Sequence, residues 1–236
     1  MPTYTPAQYA CRDDCVLRMT ACYRILLPRC AAAALANHKP LTHALNRLTD
    51  DGSLIRHERL LPGGLTVYTL SPSTAARLGL PRERAELPTA AALDTAIAVQ
   101  VFCHLGRGAR FRLTADEVDE LFPKAAPNNV PFVISGELGS VAIFRAVLVA
   151  DRAPADAIRY LRTLIEQAER HKTLASELAN RHLGFALLAS SPQHVAALEK
   201  SLARSGLLSR AAVIIDVGPD AEHLALSLKA KQGVGG

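Results

Sequence analysis

The sequence predicts a mixed α/β protein: a small helical module that ends in a β-hairpin, followed by a larger domain of alternating strands and helices. Three observations carry that prediction. Helical spacing with clear stop signals fills the first fifty residues and gives way to a Pro-Gly-Gly corner between strand-like runs. From residue 130 onward, short apolar runs alternate with amphipathic stretches that open on proline. Charge is divided unevenly: residues 1–80 hold nine Lys and Arg against five Asp and Glu, and residues 81–236 hold eighteen against seventeen. A small basic part joined to a nearly neutral one suggests a polyanionic partner touched by the first part.

In that first part Val16, Leu17, Met19, Thr20 and Tyr23 recur at helical spacing and predict a helix over 13–23. The stretch "YRIL" breaks the rhythm. Pro28 suits the first turn of a second, alanine-rich helix to residue 35, because its missing N–H costs nothing there. "ANHK" is a turn and Pro40 opens a third helix. Leu41, Ala44, Leu45 and Leu48 share one face of it, and "DDGS" at 50–53 ends it. Leu54 and Ile55 then begin a strand that turns at Gly63 and Gly64 and returns to about Leu70.

Three short helices and a two-stranded wing are the order of a winged helix-turn-helix. In such a module the third helix enters the major groove and the wing reaches phosphates. The residues off the apolar face of the third helix are Lys39, Thr42, His43, Asn46 and Arg47, and Arg56 and Arg59 place cations on the wing. Asn and Arg can read adenine and guanine bidentately, so double-stranded DNA is the expected partner. The competing reading is a helical module used for protein contact.

"SPSTAARLGLPRERAELPTA" at 71–90 combines a capped short helix, prolines and charges, and reads as a connector. The expected division is therefore a winged helix at 1–80, a linker at 81–90 and an α/β domain at 91–230. Thr89 caps a helix to residue 105, and Thr114 with Glu117 forms a capping box for a helix within 113–122. Strands follow at 130–135 and 141–150, joined at "GELG". Pro154 starts a long helix to about 179, and then come a strand at 184–189, a helix at 192–204 and a strand at 211–217. The expected order is ββαβαβ.

The layout resembles the replication-relaxation family of plasmid and mobile-element proteins, in "LTHALNRLTDDGSLIRHERLLPGGLTVYTLSPSTAARLGL", "VPFVI", "FRAVLVADRAPADAIRYLRTLIEQ" and "GFALLASSPQHVAALEKSL". The resemblance implies a winged helix, a bridging helix and a restriction-endonuclease-like α/β domain, in a mobile-element setting. A nuclease of that fold needs carboxylates and a lysine converging at one end of its strands to hold metal and position water. Here Phe132 stands at the first such position, and residues 141–149 hold neither a carboxylate nor a lysine. Asp151 and Arg152 alone keep to the pattern. The expectation is a scaffold without nuclease chemistry: no catalytic residue, no metal and no cofactor. A metal-dependent nuclease or an accessory factor in plasmid replication or DNA relaxation is the alternative.

Other chemistry is weakly signalled. Cys11, Cys15, Cys22 and Cys30 lack the paired spacing of a zinc site, and an odd total of five cysteines argues for thiols rather than a disulfide frame. Asp151, Asp156 and Arg152 are explained by the start of the helix near Pro154, and His38 by a solvated face. "SSPQH" at 190–194 aims a helix N-terminus at a strand end without a glycine-rich loop. No Walker loop or dinucleotide fingerprint occurs. The N-terminal stretch has neither a basic nor an apolar leader region and no apolar run is long enough to span a bilayer, so a cytoplasmic location and no membrane partner are expected. The apolar helix at 89–105 is the candidate seam of a homodimer, the alternative being a helix wrapped by its own domain.

Overall fold

The computed structural model describes residues 12–35, 41–106, 110–123, 130–135, 142–150 and 152–224. It is a mixed α/β fold with several helices, a two-stranded sheet and a five-stranded sheet. The chain forms two compact units, one of Met1–Gln100 with Asp220–Gly236 and one of Val101–Pro219. The division falls inside a helix, ten residues beyond the 81–90 stretch. Among the described residues no helix is long and apolar enough to cross a membrane.

The first unit begins with α1 (Arg12–Tyr23), α2 (Pro28–Ala34) and α3 (Leu41–Asp50). Every apolar position expected on α1 is buried, and α3 buries Ala44, Leu45 and Leu48. Gly52 at φ +74 ends α3, with the Asp51 carboxylate accepting the Ser53 N–H at 2.8 Å. The hairpin of β1 (Leu54–Leu61) and β2 (Leu65–Leu70) turns at Gly63 and Gly64, both left-handed. Ser71 caps the short α4 (Pro72–Arg77) by accepting the Thr74 N–H. Leu17, Leu26, Leu45, Leu48, Leu54, Tyr68 and Leu70 close the core of this unit.

The "YRIL" stretch holds these parts together. Leu26 exchanges both backbone hydrogen bonds with Tyr68, at 2.8 and 3.1 Å, and so adds a one-residue third strand to the hairpin. On either side of it the fully buried Gln100 serves the remaining groups. Its Oε1 accepts the Leu27 N–H at 2.7 Å, and its Nε2 donates to the Ile25 carbonyl at 3.1 Å. Gln100 belongs to α5 (Ala90–His104), which explains why the first unit reaches past the proline-rich connector. Residues 96–103 of α5 are all buried within a single chain. The first turns of the helix differ: Ala90 and Ala91 are exposed, and Ala92 and Leu93 are half-buried.

In the second unit come β3 (Arg110–Arg112), α6 (Ala115–Leu121), β4 (Phe132–Ser135), β5 (Ala142–Leu148), α7 (Pro154–Arg170), α8 (Lys172–Ala179), β6 (Leu183–Ala189), α9 (Pro192–Ala203) and β7 (Ala212–Val217). The Thr114–Glu117 capping box on α6 is present with both of its bonds. The sheet order is β3-β4-β5-β6-β7, antiparallel from β3 to β5 and parallel from β5 to β7. Buried residues of α7, α8 and α9 pack with Phe132, Ile143, Val147, Phe185 and Leu187 into one core.

Two differences from the expected order have physical reasons. The single helix expected from Pro154 to about 179 breaks at His171, whose φ of −99° and ψ of 116° are extended. A helix of that length would run about 39 Å, far beyond β5, and the chain must turn back to start β6 alongside it. The break lets α8 bury Leu174 and Leu178 instead. β3 was absent from the expected order because three residues, two of them arginines, carry no alternation to read.

β3 and β7 are opposite edges of the sheet, yet Arg110 Nη1 lies 2.7 Å from Asp216 Oδ2. Four strand spacings in a flat sheet would separate those edges by about 19 Å. A twist of about 20–25° per strand turns the sheet through roughly a right angle and brings diagonal corners together on its concave side. The C-terminal end of α5 fills that hollow: Arg110 lies 4.0 Å over the Phe102 ring, and a Cβ on Gly106 would sit 3.1 Å from Arg110 Nη1.

His104, in the last turn of α5, is buried enough for desolvation to lower its pKa to about 4. The unfolded chain binds that proton near pH 6.5, so acid favours unfolding across this window. Stability should be complete above about pH 6.5 and fall by up to about 3 kcal/mol as the pH drops to about 4. Urea midpoints at pH 7.5, 5.5 and 4.5 should show this loss, and His104→Gln should reduce its slope.

Candidate nucleic-acid interface

The helical period sorts α3 into two faces. Ala44, Leu45 and Leu48 are buried, while Thr42, His43, Asn46 and Arg47 are exposed, one pair a turn beyond the other. Lys39 precedes this helix and lies outside the described residues. The structure thus gathers four of the five expected helix residues on one outward face.

Arg47 does not stand alone there. Its Nε donates to an Asp13 carboxylate oxygen at 3.0 Å, and Nη2 reaches the same carboxylate. Asp13 sits in the first turn of α1, where the helix dipole favours an anion. The pair is bidentate, which fixes the guanidinium plane more firmly than a single contact would. Sequence reasoning passed over Asp13 because nothing local links two residues 34 apart.

The hairpin is less regular than a simple wing. Arg56 pairs with Glu58 at 3.1 Å, two residues along the same strand, so the carboxylate offsets the nearest cation. Pairing is regular to His57↔Val67 and resumes at Leu61↔Leu65, which leaves Glu58, Arg59 and Leu60 against Thr66 alone. Arg59 takes a left-handed φ of 54°, and the bulge turns it outward from the ladder. His57 is half-buried with Nε2 2.9 Å from Thr69 Oγ1, and desolvation lowers its pKa. Ile55 and Leu60 are exposed apolar neighbours of these cations. The Glu58 contact and the bulge were both missed by alternation alone.

In the second unit Phe132 is buried against Phe122 at a ring distance of 5.5 Å. Among the described residues no group of three or more His, Cys, Asp or Glu is placed to hold a metal ion. Ser191 caps α9 through the His194 N–H. Asp151 lies outside the described residues, and Asp156 pairs with Arg159 at 3.2 Å.

No family model, no curated protein and no solved structure matches the chain.

Proposed function

We propose that the protein is a sequence-specific double-stranded DNA-binding protein, with the first unit acting as a winged helix-turn-helix and the second as a scaffold without nuclease chemistry. The observation that carries this reading is the outward face of Thr42, His43, Asn46 and Arg47 on α3, followed directly by a hairpin bearing Arg56 and Arg59. Donors suited to base edges on one element and cations on the next divide the labour as groove-reading requires. The nearly neutral second unit suits partner or effector contact, and the role proposed for the whole is transcriptional control of a plasmid or other mobile element. One module seldom picks out a genomic site alone, so a homodimer on an inverted repeat is part of the proposal.

Selection of bound fragments from random DNA, followed by salt titration on selected and scrambled sites, tests it. Arg47→Ala should cost about 1–3 kcal/mol on the selected site and relax the preference at one position. Arg59→Ala should weaken all sequences alike and reduce the salt slope by about one. Glu58→Gln, by uncovering Arg56, should tighten binding to every sequence. Identical responses of the two arginine variants would remove the division of labour, and no enrichment over random DNA would remove the function.

A further inference from the structure

We propose that Arg145, Arg152 and Tyr160 form a binding site for a phosphate-type oxyanion on the second unit. All three residues belong to the second unit, so the site does not depend on the proposed DNA-reading elements.

Arg145 sits in the middle of β5, directly opposite Phe132 on β4 and Phe185 on β6. Opposed residues share a face, so its side chain rises between two buried rings and beside Ile143 and Val147, on the side covered by α7. Its Nε is buried and has no hydrogen-bond partner. Desolvation lowers its pKa, and Tyr160 of α7 is close enough to oppose that shift. Arg152, just before α7, places its guanidinium carbon 4.3 Å over the Tyr160 ring. Arg152 thus stacks on Tyr160, which packs against the same core that flanks Arg145.

No carboxylate among the described residues pairs with either arginine. Two other arginines of this unit are matched by carboxylates: Arg110 by Asp216 at 2.7 Å and Arg210 by Glu169 at 2.6 Å. The acid nearest in sequence on α7, Asp156, is held by Arg159. A half-buried guanidinium without a counter-charge is unfavourable, and a buried donor without an acceptor calls for a partner. An oxyanion supplies both charge and acceptors. Phosphate suits a pair of guanidinium forks, with the tyrosine hydroxyl as a further donor. That chemistry could arrive as a free small phosphate or as the terminal phosphate of a nucleic acid.

The test is thermal unfolding and titration calorimetry on the full chain with inorganic phosphate and pyrophosphate, against sodium chloride of equal ionic strength. Both phosphates should raise the midpoint. Arg152→Ala, an exposed position that leaves the fold intact, should weaken binding about tenfold or more. Arg145→Met should raise the midpoint of the ion-free protein and abolish the response. A 5′-phosphorylated oligonucleotide that competes with pyrophosphate, where its unphosphorylated twin does not, assigns the ligand to a nucleic-acid end; competition by neither assigns it to a small phosphate. No response beyond chloride overturns the proposal, as does a response unchanged in Arg152→Ala. A response gained only in Asp151→Asn also overturns it, since the arginines would then already be neutralised from within.

Discussion

Asp216→Ala is expected to destabilise the second unit by about 3–5 kcal/mol, because it leaves Arg110 charged and almost fully enclosed. Arg110 is 3% exposed, so water cannot take over from the carboxylate. Surface pairs such as Arg82 with Glu86 should be worth far less, since both partners remain hydrated. A second variant separates the charge from the geometry. Replacing both partners with apolar residues, Arg110→Met with Asp216→Leu, removes the buried charge and should recover most of the loss. If the ion pair holds the curl of the sheet, the double variant should be stable yet show faster amide exchange along β3, whose pairing is only three residues long. Urea unfolding of the three proteins is the measurement. A cost below about 1 kcal/mol for Asp216→Ala would mean that the opposite edges meet for another reason.

Gln100→Leu should cost the first unit about 2–4 kcal/mol while conserving side-chain volume, since it strands one buried donor and one buried acceptor. Amide exchange gives this prediction its resolution. The Leu27 amide, held by the Gln100 carbonyl, should lose protection, and the Leu26 amide, held by Tyr68, should keep more of it. Gln100→Glu is a further check. Its carboxylate can still accept from Leu27 but cannot donate to Ile25, and it buries a charge, so it should be at least as damaging as leucine. Equal protection at Leu26 and Leu27 in every variant would deny the glutamine its bridging role.

What the sequence determined by itself is local. Helical spacing named the buried face of α3 and, by subtraction, its exposed face of Thr42, His43, Asn46 and Arg47. Capping chemistry placed Thr114 and Ser71, and two left-handed glycines placed the hairpin tip. These signals act within four residues, through hydrogen bonds and side-chain rows that the chain order already specifies. Tertiary structure decided everything that depends on partners far apart in the chain. Asp13 meets Arg47 across 34 residues, Gln100 meets Ile25 across 75, and Asp216 meets Arg110 across 106. Each of these polar groups reads from sequence as an ordinary solvated or helical residue, because its role comes from losing water and gaining one particular partner. The break at His171 is of the same kind: no glycine or proline marks it, and the need to bring β6 back beside β5 sets where the helix must stop. Desolvation and chain return are properties of the packed whole, and no window of neighbouring residues contains them.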